Sequence, residues 1–316
     1  MAKIVECVPN FSEGRDQAKV DALEQAMSGV AGAWILDRQM DADHNRSVIT
    51  LAGEPDAVAE AVLRGVGRAA ELIDLTRQDG VHPRVGATDV VPFVPVEEVT
   101  IEGCATLAWR VGDEIWERFR IPVYFYEAAA RRPDRVRLEE VRRGQFEGLR
   151  EEVLRNPERA PDVGERRLHP TAGATMVGAR KFLIAYNIHL NTPDVAVAKE
   201  IAKALRFSSG GLAGVKAIGV ELRSRNLTQV SINLTDFEQT PMHRVLDLAR
   251  SEAASRDVTI AGTEIVGLVP RRAMEMTADY YLQLEDCGRD HVLENRLAKA
   301  TSVAAAPEEA QKGKTA

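Results

Sequence analysis

Hydrophobic and polar residues follow similar patterns in the two halves of the chain. In the first half, alternating or continuous apolar residues indicate strands, and apolar residues at helical spacing indicate helices. The predicted order is strand 3–8, helix 15–27, strand 33–36, strand 46–52, a helix from Pro55, strand 90–96, a helix, strand 122–126 and a charged helix at 138–154. The opening strand, helix, strand, strand, helix and strand form one unit.

The second half predicts the same unit again. Its elements are strand 181–190, helix 194–205, strand 215–222, strand 228–234, helix 242–253 and strand 258–269. Thr192-Pro193 and Thr240-Pro241 each place a hydroxyl before a proline, which predicts an N-cap followed by the first helical residue.

This order is that of a ferredoxin-like unit, in which helices pack on one face of an antiparallel or mixed sheet. We therefore expect an α/β (α+β) protein with two ferredoxin-like subdomains, at residues 1–175 and 176–300. Residues 156–175 are rich in proline and glycine and are predicted to be a linker at the end of the first subdomain. Residues 301–316 have too few apolar residues to pack, so we expect a disordered tail.

Composition narrows the possible functions. The chain has 316 residues, 45% hydrophobic and 28% charged, which is enough for two domains with substantial cores. A net charge of −7 and only 5% aromatic residues argue against a nucleic-acid-binding protein. The sequence has no signal peptide and no apolar run long enough to cross a membrane. Three cysteines without paired spacing suit a reducing compartment, and a cytoplasmic location is expected.

The segment from Asp79 to Asp89, called here the His82 loop, carries the strongest chemical signal. His82 lies between glycines in a turn, where neither core packing nor helix formation explains it. Because the histidine pKa lies near neutrality, a ring beside Asp79, Arg84 and Asp89 is suited to proton transfer. A solvated surface turn remains an equal alternative on these residues alone.

The His82 loop and the segment Glu6-Cys7-Val8-Pro9-Asn10-Phe11-Ser12-Glu13-Gly14-Arg15 together resemble glutamate formimidoyltransferases, the transferase part of formiminotransferase-cyclodeaminases. Further strings that resemble this family are Asn45-Arg46, Ala87-Thr88-Asp89, Pro92 through Val96, Ile121 through Tyr124, Ala160 through Gly164, Gly173-Ala174-Thr175, Gly178 through Ile188, Val215 through Gly219, Asn226-Leu227, Asp236-Phe237-Glu238 and Val266 through Pro270. The resemblance runs from residue 3 to about residue 298.

The resemblance implies transfer of a formimino group from N-formimino-L-glutamate to N5 of tetrahydrofolate, in histidine degradation and one-carbon metabolism. It implies that His82 is the general base, which later returns the proton to the departing nitrogen. A carboxylate should lie near the cationic amidine, and Asp37, after the apolar residues 34–36, is our candidate; a surface Asp that ends a strand is the alternative. Asn10 is a candidate for binding the pterin or a substrate carboxylate, or else forms an Asx turn before the first helix.

Tetrahydrofolate is the expected one-carbon carrier, with no metal, and its carboxylates require cationic partners. Arg46, Arg84 and Arg180 lie in matching strings, although each is by itself more typical of a solvated charge. The family's folate-contacting loop corresponds to residues 164–173, in which the candidates are Gly164, Pro170, Thr171 and Gly173. The chain departs from the animal enzymes at two positions: Ala172 replaces a tryptophan, and His169 replaces a small apolar residue.

The resemblance also implies a homodimer. No segment after residue 300 is long enough for a cyclodeaminase domain, so we expect the transferase alone, with the possibility of a separate cyclodeaminase partner. Membranes and nucleic acids are not expected partners.

Other functions remain open at this point. Transfer of a formyl group from N-formylglutamate, giving 5-formyltetrahydrofolate, would use the same base and cleft, and a non-catalytic folate-binding module would need no base. A hydrolytic metal site at Asp41, Asp43, His44 and His82 would require these side chains to converge. Covalent catalysis by Cys7 is disfavoured because Cys7 lies within an apolar strand.

Overall fold

A computed structural model describes residues 2–42, 44–80, 83–222, 225–285 and 292–297. His82 and Asp43 therefore lie outside the described residues, as does the predicted tail. The chain divides into two compact units, the first over Met1–Ile184 and the second from Ala185. The first unit thus extends nine residues beyond the predicted end of the first subdomain.

The first unit contains seven strands and five α-helices among its described residues. The strands are β1 (Ile4–Cys7), β2 (Asn10–Phe11), β3 (Ala33–Asp41), β4 (Arg46–Gly53), β5 (Thr88–Glu97), β6 (Val123–Glu127) and β7 (Thr175–Ala179). The helices are α1 (Gln17–Met27), α2 (Pro55–Leu72), α3 (Ile101–Phe119), α4 (Leu138–Val141) and α5 (Gln145–Arg155).

One seven-stranded sheet organises this unit. Strands β1 and β2 both pair with β4 and β5, and they act as one strand interrupted at Val8 and Pro9. Counting β1 and β2 as one strand, the order β5, β1/β2, β4, β3 is the ferredoxin-like arrangement. The parallel strands β7 and β6 extend the sheet beyond β5. The predicted ferredoxin-like pattern is present, enlarged by two strands.

Side chains alternate between two faces of this sheet. Ile49 and Leu51 on β4 are fully buried on the face that α2 and α3 cover. The glycines of these helices allow close packing, since a Cβ on Gly65 would lie 2.8 Å from Met27 Sδ and one on Gly112 would lie 2.6 Å from Phe125. The opposite face carries Arg46 and Thr50, and this face holds the candidate site.

The segment between β6 and β7 differs from its prediction. The single charged helix predicted at 138–154 is two helices, α4 and α5, because Gly144 has a φ of 89° between them. The predicted linker at 156–175 belongs to the first unit: Leu75 N–H donates to Thr171 O at 2.9 Å, and Ala87 N–H donates to Ala172 O at 2.9 Å. Its last residue begins strand β7.

The second unit has four strands, three α-helices and a further helical stretch at 293–297 among its described residues. The strands and α-helices are β8 (Ile184–Leu190), α6 (Val195–Leu205), β9 (Val215–Leu222), β10 (Leu227–Leu234), α7 (Met242–Ala254), β11 (Ile260–Val266) and α8 (Arg271–Leu282). The strand order β11-β8-β10-β9 places the fourth strand beside the first and the first beside the third, as in a ferredoxin-like unit. Helix α8 follows this unit and has no counterpart among the predicted elements.

The two predicted threonine N-caps are wrong. Asp194 caps α6 and accepts a hydrogen bond from Ala196 N–H at 2.9 Å, so the helix begins after Thr192-Pro193. Thr240 donates its hydroxyl to Ala213 O at 2.6 Å, and α7 begins without a side-chain cap. At α6, a carboxylate closer to the helix provides the cap. At α7, the threonine hydroxyl donates to a distant carbonyl and does not cap the helix.

Candidate active site

Asn10 and Arg46 are joined on the face of the first sheet opposite Ile49 and Leu51. Asn10 pairs with Val48, two residues after Arg46, so both side chains project from the same face. The Asn10 Oδ1 atom accepts hydrogen bonds from Arg46 Nε at 2.9 Å and Arg46 Nη2 at 2.5 Å. Asn10 therefore does not form the turn before α1, which Asp16 caps instead.

Asp89 continues this network at the start of β5. Its Oδ2 atom accepts from Arg46 Nη1 at 3.3 Å and from Arg142 Nη2 at 2.5 Å, while Oδ1 accepts from Val85 N–H at 2.8 Å. The carboxylate side chain is only 1% exposed. Burial lowers the pKa of Arg46 to about 10, and the nearby Asp89 charge opposes that shift. The network thus links β2, β4, β5 and α4 through one buried carboxylate.

The described parts of the His82 loop are held at both ends. Before His82, Asn45 Nδ2 donates to Asp79 O at 2.7 Å. After it, Arg84 Nη2 donates to Gln78 O at 2.6 Å, which ties the two ends of the loop together. Arg84 also forms an ion pair with Glu147 on α5 at 2.9 Å.

Two glycines let the backbone of this loop approach its neighbours closely. A Cβ on Gly80 would lie 2.5 Å from His44 O, and one on Gly86 would lie 2.2 Å from Ala174 O. Both contacts involve backbone atoms that have no freedom to rotate away. The glycines that frame His82 in the sequence are therefore required by packing, since neither has a positive φ.

Asp37 lies on the same sheet face as Asn10 and Arg46, but it is not at the end of a strand. Strand β3 continues to Asp41, and Trp34 and Leu36 are exposed because β3 is the edge strand. Asp37 pairs with Thr50, four residues from Arg46, or about 13 Å along β4. Its Oδ2 atom accepts from Gln39 Nε2 at 3.1 Å.

The predicted folate loop, residues 164–173, lies against the base of the His82 loop. Gly173 forms a bridge with Gly86, and Thr171 and Ala172 accept backbone hydrogen bonds from Leu75 and Ala87. Ala172, which replaces the tryptophan of the animal enzymes, is only 1% exposed. Gly164 packs against the Trp116 ring, and Pro170 is exposed. The loop therefore reaches from α3 to the start of β5.

Arg180 directly follows β7. Its backbone N–H donates to Phe93 O at 3.0 Å and its Nη1 donates to Lys181 O at 3.0 Å. Burial raises the pKa of Glu6, and the Arg180 charge partly opposes this shift. Arg180 is thus placed near an acidic side chain that the sequence did not single out.

Arg142 is the other residue that the sequence interpretation missed. It lies at the C-terminal end of α4, within the stretch predicted as one charged helix, and its side chain is 13% exposed. Arg142-Arg143 followed by Gly144 was the available signal. Nothing in that pattern indicates a contact with Asp89, which is 53 residues away in the chain.

The alternative chemistries receive little structural support. Cys7 is fully buried, and burial raises the pKa of its thiol well above the usual range, which disfavours a thiolate nucleophile. Asp41 accepts from the His44 backbone at 2.8 Å and lies 2.7 Å from its ring nitrogen, a local turn contact. Within the described part of the chain, no group of three or more potential metal ligands converges. None of the described helices is long and apolar enough to span a membrane.

Comparison with known proteins identifies the family. Residues 4–180 match the formiminotransferase domain, N-terminal subdomain, and residues 185–300 match the formiminotransferase domain. The chain belongs to the formiminotransferase family. This result confirms the resemblance, and the two matched ranges meet close to the division between the two compact units.

Relatives in this family match nearly the whole chain. A glutamate formimidoyltransferase of Streptococcus pyogenes serotype M1 is 45% identical, covering 94% of this chain and 99% of the relative. One of Thermoplasma acidophilum is 43% identical, covering 95% of this chain and 99% of the relative. A mouse formimidoyltransferase-cyclodeaminase is 41% identical over 94% of this chain but only 57% of its own length.

Proposed function

We propose that this formiminotransferase-family protein is a folate-dependent enzyme that transfers the formimino group from N-formimino-L-glutamate to N5 of tetrahydrofolate. The observation that carries this proposal is the match to glutamate formimidoyltransferases over 94% and 95% of the chain. The reaction places the protein in histidine degradation and one-carbon metabolism.

His82 is the general base and acid of the proposed mechanism. N5 attacks the amidinium carbon, a C–N5 bond forms, and the N5 proton passes to the imidazole. The imidazolium then gives this proton to the glutamate nitrogen as the bond between carbon and that nitrogen breaks. The products are 5-formiminotetrahydrofolate and glutamate, and the histidine returns to its neutral form.

The anchored ends of the His82 loop support this role. Asn45 holds Asp79, Asp89 holds Val85, and Arg84 holds Gln78, so the backbone on both sides of His82 is fixed by hydrogen bonds. A proton-transfer group needs a defined position relative to the reacting atoms, and fixed loop ends restrict that position.

Asp37 stabilises the amidinium in this mechanism, because the cation persists through the tetrahedral intermediate. Its position on the same sheet face as Asn10 and Arg46 is compatible with that role. The Asn10 and Arg46 side chains are hydrogen-bonded to one another, and Arg46 donates to Asp89. We therefore assign both residues to positioning Asp89 and the His82 loop. Arg84, Arg180 and the folate loop with Gly164, Pro170, Thr171 and Gly173 are assigned to tetrahydrofolate and substrate carboxylates.

We further propose a cytoplasmic homodimer.

The name of the mouse relative includes both a formimidoyltransferase and a cyclodeaminase, and the match covers only 57% of its length. For this chain, a separate cyclodeaminase would act on the 5-formiminotetrahydrofolate that it releases.

The decisive experiment mixes the purified protein with tetrahydrofolate and N-formimino-L-glutamate and follows 5-formiminotetrahydrofolate by mass spectrometry. A parallel reaction replaces the donor with N-formyl-L-glutamate. Faster formyl transfer would reassign the protein as a formyltransferase. Tight folate binding without transfer from either donor would make it a non-catalytic folate-binding module.

A further inference from the structure

Strand β9 is an outer strand of the sheet in the second unit. The strand order is β11-β8-β10-β9, so β9 pairs with β10 on one side and, among the described residues, with no strand on the other. This second side is called here the β9 edge. An unpaired strand edge presents a row of backbone N–H and C=O groups that can pair with another chain.

The other sheet edges are covered or interrupted. Residues 162–163 cover β6, because they hydrogen-bond to the backbone of Val123 and Phe125. The registers of β3 and β11 shift after Ile35 and Ile260, and such irregularities disfavour edge pairing. In contrast, β9 keeps eight consecutive partners on β10 without a shift. The β9 edge is therefore regular enough to accept a further strand.

One hydrogen bond shows which backbone groups face the β9 edge. Thr235 N–H donates to Gly214 O at 2.8 Å, in the same register as the pairing of β9 with β10. Because inward and outward groups alternate along an antiparallel strand, the even-numbered residues of β9 bond to β10. The odd-numbered residues, including Ala217, Gly219 and Glu221, direct their N–H and C=O groups to the β9 edge.

The side chains of β9 lie on two faces of the sheet. Ala217 is buried, and a Cβ on Gly219 would lie 2.4 Å from Lys199 N, so the odd-numbered residues face α6. Ile218 lies on the opposite face and is 58% exposed. The middle of a regular, unpaired edge thus carries an exposed β-branched side chain, which favours pairing with another strand.

The β9 edge is complementary to a second copy of itself. In an antiparallel pair, directly opposite side chains lie on the same face, so a two-fold axis must pair residues whose numbers have an even sum. The register centred on Ile218 pairs residues 215–221 of both copies. It places Ala217 opposite Gly219 of the second copy, where their outward backbone groups can bond, and brings the two Ile218 side chains together at the axis.

The charges are complementary in the same register. Helix α6 runs antiparallel to β9, because its first half packs on Gly219 and its end leads into the loop before β9. The exposed Lys203 therefore lies near Val215, at the opposite end of β9 from the exposed Glu221. Pairing around Ile218 brings Glu221 of each copy towards Lys203 of the other, so the attraction forms twice by symmetry.

We propose that the β9 edge is the interface at which two copies of this chain form a dimer, an inference that rests on the homodimer of the proposed function. The two sheets continue into one another across the two-fold axis. Backbone hydrogen bonds between Ala217 and Gly219 of opposite copies hold the strands together. The Ile218 pair and the contacts between Glu221 and Lys203 fix the register.

Sedimentation equilibrium tests the apolar contact. Ile218→Lys is expected to raise the dimer dissociation constant at least about hundredfold, because two like charges would meet at the axis. The exposed position of Ile218 lets the variant fold, which circular dichroism checks. The matched control is Val266→Lys, on the other outer strand of the same sheet, which should dimerise like wild type. An unchanged dissociation constant in Ile218→Lys overturns the proposal.

Cross-linking tests the two-fold axis. Directly opposite residues of this kind have Cα atoms about 4.5 Å apart, within the range that a disulfide spans. Ile218→Cys should therefore form a covalent dimer when oxidised with copper phenanthroline, and reductant should reverse it. Wild type and Val266→Cys are the controls and should remain uncross-linked. Absence of the covalent dimer in Ile218→Cys overturns the proposed register.

A charge exchange tests the polar contacts. Glu221→Lys and Lys203→Glu should each raise the dimer dissociation constant about tenfold, and their combination should restore most of the loss. Additive losses in the double variant would contradict the proposed register.

Parallel measurement of formimino transfer separates this inference from the proposed function. A dimeric wild type whose dimer survives Ile218→Lys overturns the interface and leaves the homodimer and the reaction intact. A monomeric wild type overturns the interface and the homodimer together. If Ile218→Lys dissociates the dimer but wild type transfers no formimino group, the interface stands and the proposed reaction fails.

Discussion

Arg142 Nη2 lies 2.5 Å from Asp89 Oδ2, which joins the end of α4 to the start of β5 through a carboxylate with almost no solvent exposure. The other carboxylate oxygen of Asp89 accepts from Val85 N–H in the His82 loop at 2.8 Å. Any shift of α4 or of the Asp89 side chain is therefore transmitted to the backbone that follows His82.

Asp89→Asn is expected to lower the free energy of unfolding by about 3 kcal/mol, because it leaves two largely buried guanidinium groups without their shared anion. Urea unfolding followed by circular dichroism measures this change. The matched control is Asp79→Asn, whose side chain is 88% exposed and whose ion pair with Arg15 contributes less than about 1 kcal/mol. Equal losses in the two variants would show that burial of Asp89 does not determine its contribution.

His82→Ala should reduce kcat by at least about two decades while tetrahydrofolate binding is retained, as expected when a general base is lost from an intact pocket. Stopped-flow turnover and equilibrium binding give the two quantities. His44→Ala, in the neighbouring turn, is the control and should keep its turnover. Wild-type kcat in His82→Ala would remove His82 from the mechanism.

Asn10 and Arg46 should be energetically coupled. The single variants Asn10→Ala and Arg46→Met and their combination form a double-mutant cycle, with an expected coupling free energy of about 1.5 kcal/mol, typical of hydrogen bonds to a charged group. Chemical unfolding of all four proteins gives this energy. Additive losses would mean that the contact between Asn10 Oδ1 and Arg46 contributes nothing to stability.

Asp37→Asn should narrow the preference for formimino over formyl transfer. The formimino donor is a cation and the formyl donor has a neutral carbonyl at the same position, so removal of a nearby negative charge should lower the ratio of the two kcat/KM values by about tenfold. Gln39→Ala removes the hydrogen-bond partner of Asp37 but keeps the charge, and it should affect both donors alike. An unchanged ratio in Asp37→Asn would assign the cation site to another carboxylate.

The stability of the protein should depend on His169 below neutral pH. Burial lowers the pKa of this histidine from its usual 6.5 in the folded state, so the unfolded chain binds more protons as the pH falls. The contribution of His169 is therefore fully present above about pH 7 and is lost as the pH falls through 6.5 towards the folded pKa.

His169→Asn isolates this contribution, since an amide oxygen can accept the same backbone hydrogen bonds without titrating. Between pH 7.5 and pH 5.5, the urea midpoint of wild type should fall further than that of the variant. Parallel curves would show that protonation of His169 has no part in the acid sensitivity.

Much of the architecture could be predicted from the sequence because local periodicity reflects which face of each element is buried. The repeated strand and helix pattern predicted both ferredoxin-like units, and the segments around Asn10 and His82 predicted the family. Errors occurred where a single residue overrides periodicity. Gly144 divides the predicted charged helix, and Asp194 rather than Thr192 caps α6.

The sequence by itself determined the family and the fold class and made His82 the candidate base, because these depend on residue order and type. Only the tertiary structure decided which side chains meet. It brought Arg142 to Asp89 across 53 residues, tied Asn10 to Arg46, and placed Trp116 beside the folate loop. Such contacts depend on sheet register and helix packing, which bring together distant residues whose local patterns carry no record of one another.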